Sequence, residues 1–259
     1  MKQNTGFGRN NRSSLTMKRL VGIAMFSALA FLVTFVVRFP VMFLTFDAKD
    51  AVIAIASFIY GPVSAVVISL LAALVELVTI SSTGIYGFVM NFLSSATFAL
   101  TASLIYSRRK TITSAIVGLY VGVFAVVAVM MGFNILVTPH YLGVATKEVV
   151  AMLPTVLLPF NLAKALMNAA FAMLLYKPCA VAMRRAGLAV SSYKNAAAEE
   201  KTSSGDEYGY YYNDNETENK SDENSTRTPA FKKKRTLYAL IFGSVTLAVA
   251  IIIFVLLNT

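Results

Sequence analysis

The sequence predicts an all-α integral membrane protein, and three observations carry that prediction. Hydrophobic residues make up 57% of the chain and charged residues 14%, with mean hydropathy +0.66, whereas soluble domains carry nearer a quarter charged. The apolar residues come in runs of about twenty, the length of helix that crosses the bilayer hydrocarbon at ~1.5 Å per residue. The basic residues gather at the ends of these runs, where a positive-inside bias puts them. That placement also removes the nucleic-acid reading that a net charge of +10 would otherwise invite.

Residues 1–16 are polar, basic and rich in Asn and Ser, and read as a cytoplasmic tail. The membrane domain covers 17–188. Its first span is 20–39, ended by Pro40, which cannot continue a helix. No small-residue cleavage site closes this run quickly, so it reads as a retained helix and not as a signal peptide. Residues 40–49 form an apolar loop with an acidic end. Residues 51–80 as one helix would be about 45 Å long, more than a bilayer needs, and Gly61-Pro62 divides them into a short second span and a third. The fourth to sixth spans are 85–106, 114–137 and 150–176.

Charge parity settles whether the short second piece crosses. Lys2, Arg9, Arg12, Lys18 and Arg19 precede the first span, and Arg108, Arg109 and Lys110 follow the fourth. Both clusters belong in the cytoplasm, so the crossings between them are even in number, and the short piece must be one of them. Lys177, Arg184 and Arg185 then put the end of the sixth span inside as well.

Residues 189–230 change character, holding nine of the thirteen acids between Glu199 and Glu223. They offer too little apolar surface to offset ordering entropy, and read as an acidic disordered linker. Its sequons at Asn215 and Asn224 are cytoplasmic and not glycosylated. Residues 231–259 supply an extra C-terminal transmembrane helix, 237–257, pinned inside by the FKKKR run ending at Arg235, with Thr259 outside.

Polar residues at membrane depth are expensive, and therefore informative. The sharpest group is PFNLAK at 159–164. A central Lys costs ~2.5–3.5 kcal/mol on insertion scales. Asn161, Lys164 and Asn168 share one helical face at i, i+3 and i+7. Pro159 loosens the backbone before them. Lys164 has no acid a turn away, and Glu76 is the one acid placed within a span, so a ligand acceptor is left as partner for the ammonium. On this reading Lys164→Met should spare or even raise stability. The alternative is a helix contact in which Lys164 and the two Asn find backbone carbonyls. Asn134, followed by Thr138-Pro139 and Tyr141, either reads a flat heterocycle edge in bidentate fashion or caps a helix end. Asp47 and Asp50 are candidates to cap the second span. Glu76 and Asn91 fit a mutual hydrogen bond as well as a ligand contact. His140 falls in a loop and has no assigned role. Cys179, the single cysteine, is an inert thiol, and one Cys with one His makes a metal cluster improbable. Ala24 and Ala28, with Gly22 and Ser27 nearby, would let another helix approach closely.

No P-loop lysine motif, GxSxG or HExxH is present, so the chain reads as a non-enzyme that does not itself hydrolyse ATP. It has few ionisable groups for a proton-coupled pump.

The chain resembles the substrate-binding (S) components of energy-coupling-factor (ECF) transporters, of the riboflavin-specific type, over about residues 17–185. Four features carry the resemblance: Ala24-x-x-x-Ala28; the loop from Leu44 and Thr45 to Asp47 and Asp50 with a short helix ending Tyr60-Gly61-Pro62; Asn134 with Thr138-Pro139 and Tyr141; and Asn161 with Lys164 in PFNLAK. It implies a six-helix S-component bundle, with a site roofed by the first loop and lined by the fourth to sixth spans. Asn134, Asn161 and Lys164 would hydrogen-bond a flavin, with Leu44, Thr45 and Asp47 contributing from the loop. It also implies riboflavin as the transported ligand and no cofactor. The implied partners are a transmembrane coupling subunit, met by Ala24 and Ala28, and two ATPase subunits. The implied setting is the cell membrane, with the N-terminus cytoplasmic. The polar residues suit a flavin without requiring it. Another planar vitamin, or a non-transport membrane protein with a structural Lys164, remains open at this stage. The linker and seventh span have no counterpart in the family pattern.

Overall fold

The computed structural model describes residues 7–186, so the acidic linker, the seventh helix and the position of Thr259 lie outside the described residues. Seven α-helices and one hairpin appear in order: α1 (Phe7–Val36), β1 (Arg38–Val41), β2 (Leu44–Asp47), α2 (Lys49–Tyr60), α3 (Pro62–Thr79), α4 (Gly84–Arg109), α5 (Ile112–Leu142), α6 (Thr146–Met152) and α7 (Leu158–Arg185). A π-helical turn, Leu153–Leu157, joins α6 to α7. Residues 17–36, α3, α4, α5 and the continuous stretch 146–183 are each long and apolar enough to cross a membrane.

α2 has only 12 residues, and every one of them is buried. Gly61 separates it from α3 with φ +94, a conformation open to glycine, and Pro62 starts the next helix where its missing N–H costs nothing. Contacts at the two ends show that α2 runs the depth of the body. At one end the Tyr106 and Tyr176 hydroxyls lie 2.7 Å apart, and Phe58 of α2 packs on Tyr106 with ring centroids 4.6 Å apart. Tyr60 reaches the middle of α1, where its hydroxyl fills the space a Cβ on Gly22 would take. At the other end Lys49, the first residue of α2, holds Glu76 in the last turn of α3 at 2.7 Å, and the guanidinium of Arg38 donates to the carbonyl of Ile80, just past α3, at 2.6 Å. Six passes therefore run between these ends, α2 among them, and the basic residues Lys18, Arg19, Arg108, Arg109 and Arg185 share the tyrosine end.

Close packing of α4 on α5 depends on two glycines. A Cβ on Gly118 would stand 2.6 Å from the carbonyl oxygen of Ala102, and one on Gly122 would stand 2.9 Å from that of Phe98.

Local boundaries differ from the sequence reading for physical reasons. α1 stops at Val36, before Pro40, because residues 38–47 form an antiparallel hairpin instead of an irregular loop, with Arg38 opposite Asp47 and Val41 opposite Leu44. Its two-residue tip puts Met42 at φ 53. α1 reaches back to Phe7, through part of the basic N-terminal stretch. Asp50 is not the cap of α2, since Ala48 holds that position without a side-chain bond. Instead the Asp50 carboxylate accepts a hydrogen bond from Ser95 of α4. His140 lies in the last turn of α5 and not in a loop.

Candidate ligand-binding site

A cavity opens between the hairpin and the ends of α3, α4, α5 and α7, with an empty volume of about 900 Å³, its mouth included. Of the residues singled out in the sequence, Leu44, Thr45, Asn134, Asn161 and Lys164 line it. Asp47 does not. α3 contributes a wall through Ala73, Glu76 and Leu77, which the sequence reading assigned only to later helices. Phe43, Tyr86, Phe88, Met130, Tyr141 and Phe160 supply broad apolar surface.

Lys164 and Asn161 lie in the first two turns of α7, just after the π-helical turn, and Asn161 Nδ2 donates to the Leu157 carbonyl one turn back at 2.8 Å. That bond fixes the amide, and Asn161 Oδ1 is left without a partner among the described residues. Lys164 Nζ donates to Asp47 Oδ2 at 2.8 Å and lies 3.5 Å from the Thr45 carbonyl. An ammonium has three protons, so one remains for the cavity. On α5, Asn134 Nδ2 donates to the Met130 carbonyl at 2.7 Å while its Oδ1 accepts from Thr138 at 2.8 Å. Its second N–H is the group left over. The three residues thus leave one acceptor and two donors without a protein partner in the lining of one cavity.

The expectation that Lys164 lacks an acidic partner is corrected by Asp47. The acid is distant in sequence, on the hairpin, and folding brings it to the ammonium. Asp47 Oδ2 also lies 3.7 Å from Lys49 Nζ, and Lys49 in turn holds both carboxylate oxygens of Glu76 at 2.7 and 2.8 Å. Burial alone would raise the Asp47 carboxyl, but the ammonium groups of Lys164 and Lys49 outweigh it and lower it to about 2. The sequence reading missed Lys49 altogether. Its signal was position, a Lys between two acids at the mouth of a helix, which looks like an exposed interfacial charge until the hairpin covers it.

Asn168 is completely buried and has a structural role. Its Oδ1 accepts from the Ala51 N–H at 2.9 Å, and its Nδ2 lies 3.0 Å from the carbonyls of both Asp47 and Lys164. Glu76 and Asn91 make the mutual hydrogen bond, at 3.1 Å, and both also line the cavity. Ala24 and Ala28 face outward and are exposed, away from the site, while Gly22 and Ser27 face the bundle.

Comparison with known proteins agrees with this geometry. The family model described as "ECF transporter, substrate-specific component" matches residues 18–176. The riboflavin transporter RibU of Staphylococcus aureus (strain TCH60) is 31% identical over 189 residues, covering 68% of this chain and 99% of that protein. A solved chain from work on the structure and mechanism of the S component of a bacterial ECF transporter superposes with TM-score 0.56 at 31% identity, over 65% of this chain and 98% of its own. The matched stretch takes in the hairpin, the cavity and the outward alanine pair together, and the chain belongs to the substrate-specific components of ECF transporters.

Proposed function

We propose that this chain binds riboflavin and delivers it to an ATP-driven uptake complex. The observation that carries the reading is that Asn161 Oδ1 and the third proton of Lys164, both without a partner among the described residues, belong to side chains that line one cavity. The pyrimidine edge of a flavin alternates carbonyl, N–H and carbonyl. Asn161 Oδ1 accepts from the ring N–H, while Lys164 and the second N–H of Asn134 donate to the carbonyl oxygens. The aromatic and aliphatic walls cover the ring faces. Oriented polar groups beside aromatic and aliphatic surface suit a ligand with a polar edge and flat apolar faces. A relative named as a riboflavin transporter supports the same ligand.

With no ATP-binding motif of its own, the chain works as the non-enzymatic member of an assembly. A transmembrane coupling subunit and two ATPase subunits complete it, and exposed Ala24 and Ala28 form the contact surface. The basic tyrosine end faces the cytoplasm and the cavity mouth faces outside. Single-cysteine labelling on a Cys179-free background tests that orientation, since outside labelling at residue 109 would reverse it.

The ligand is tested by purifying the protein in detergent and titrating it with riboflavin. Quenching of flavin emission at stoichiometric protein, with a yellow chromophore co-purifying, is the expected result. No quenching from a folded, monodisperse preparation would overturn the assignment.

A further inference from the structure

One face of α4 carries a polar stripe into the cavity. Thr83, Gly87, Asn91 and Ser94 lie four, four and three residues apart, one side of a helix, and all four line the cavity. From Gly87 to Ser94 the stripe is about 10 Å long. It stands on the wall made by α3 and α4, and its Ser94 end meets Asn161 and Lys164 of α7 across a small second cavity.

Two of its groups are prepared for a ligand. Asn91 Nδ2 donates to Glu76 Oε2 at 3.1 Å, which fixes the amide and leaves Oδ1 without a partner among the described residues. Glu76 cannot turn away to release it, because Lys49 holds both of its oxygens and Thr34 lies 3.4 Å from one of them. The Ser94 side chain is only 7% exposed, and its hydroxyl makes no hydrogen bond to a described residue. Both groups line the cavity with hydrogen-bonding capacity that no described residue uses. At Gly87 the Thr83 side chain takes the place a Cβ would occupy.

Building on the riboflavin reading, we propose that this stripe recognises the hydroxylated side chain of the ligand, with Asn91 as the determinant that separates a flavin carrying a polyol from one that does not. Hydroxyls both donate and accept, so a polyol can satisfy Asn91 Oδ1 and Ser94 together. A phosphate in their place would donate nothing to Asn91 Oδ1 and would face the Glu76 carboxylate. The ring edge is read by α5 and α7, and the chain by α4.

The experiment compares riboflavin with lumiflavin, which has the same ring system and a methyl group in place of the polyol. Emission quenching gives both dissociation constants for wild type, Asn91→Leu and Ser94→Ala. Wild type is expected to prefer riboflavin. Asn91→Leu is expected to weaken riboflavin about tenfold, the loss of a buried hydrogen bond, and to leave lumiflavin unchanged. Ser94→Ala should shift the same ratio by less. Retained lumiflavin binding shows that the variant is folded. Equal losses for both ligands, or no loss for either, would overturn the stripe. If wild type binds the two equally, the stripe falls while the flavin site stands. If wild type binds neither, the riboflavin reading falls and takes the stripe with it.

Discussion

Lys164 of α7 and Asp47 at the end of the hairpin form a 2.8 Å ion pair inside the protein, with side chains 8% and 2% exposed. One turn further, Asn168 holds the backbone carbonyl of the same Asp47 at 3.0 Å. The hairpin that roofs the cavity is thus fastened to the helix that carries the ligand-reading residues. Ligand binding and the position of the roof are joined through one lysine.

That pair reverses the stability expected for Lys164→Met. With no acid nearby, Met would have been neutral or favourable. With Asp47 beside it, the substitution leaves a buried carboxylate whose nearest remaining cation is Lys49, 3.7 Å away. Breaking a buried pair from one side costs ~3–5 kcal/mol, whereas removing both charges is often close to neutral. Lys164→Met should therefore melt well below wild type in detergent, and Asp47→Asn with Lys164→Met should recover most of the loss. Thermal unfolding followed by size-exclusion chromatography gives the order. A double variant no more stable than the single would show that the two side chains are energetically independent.

Asn161 separates binding from folding more cleanly. Its one side-chain hydrogen bond is local, to the Leu157 carbonyl in the π-helical turn. Asn161→Leu should leave the melting temperature nearly unchanged. The ligand N–H that it leaves unpaired should cost ~1–3 kcal/mol, roughly five- to 150-fold in riboflavin affinity. Unchanged affinity in a folded variant would remove Asn161 from the site.

These two residues also show what was legible in the sequence. Asn161, Lys164 and Asn134 stood out because a polar group at membrane depth needs a partner, and each does line the cavity. The split at Gly61-Pro62 was equally clear, since glycine at positive φ and proline at a first helical position are local effects. What could not be read was pairing across long sequence distance. Asp47 lies 117 residues from Lys164 and Lys49 lies 27 from Glu76. Asp47 reads from sequence as a helix cap or a ligand contact and Lys49 has no reading, because only the folded hairpin brings them to Lys164 and Glu76. The hairpin itself escaped notice because its tip, Met42-Phe43, lacks the Asn-Gly or Gly residues that usually signal a two-residue turn. Asn168 resembled a ligand residue by spacing, and only the positions of Ala51 and Asp47 show it saturated.

The α4–α5 contact makes a prediction about two glycines in one helix. A methyl group at Gly118 meets the Ala102 carbonyl oxygen at 2.6 Å and its carbon at 3.3 Å, both backbone atoms that cannot rotate aside. Gly118→Ala should push the helices apart and cost about 1–3 kcal/mol, as overpacking does. Gly132 has nothing within 4 Å of the same methyl position, so Gly132→Ala should be neutral or gain up to ~1 kcal/mol from helix propensity. Thermal unfolding of the two variants in parallel reads the difference. Equal stabilities would mean that α4 and α5 do not approach as closely as this packing requires.

The outward alanine pair makes a different kind of prediction, because its effect should appear only in the assembly. Ala24 and Ala28 are exposed on α1, one turn apart, while the face of the same helix that carries Gly22, Phe26 and Ser27 is buried against the bundle. Side chains added at 24 and 28 therefore project away from the cavity and meet either lipid or a partner helix. Lipid tails accommodate bulk, whereas a partner helix at close approach does not, since such contacts depend on small residues. Ala24→Trp with Ala28→Trp should leave riboflavin binding by the isolated subunit within about twofold, less than the loss of one hydrogen bond. The same variant should lose most riboflavin uptake in cells and fail to co-purify with the coupling subunit. Both readouts are needed: co-purification isolates the contact, and binding shows that the fold and site are intact. Full uptake with normal co-purification would assign this face to lipid and move the coupling surface elsewhere on the bundle.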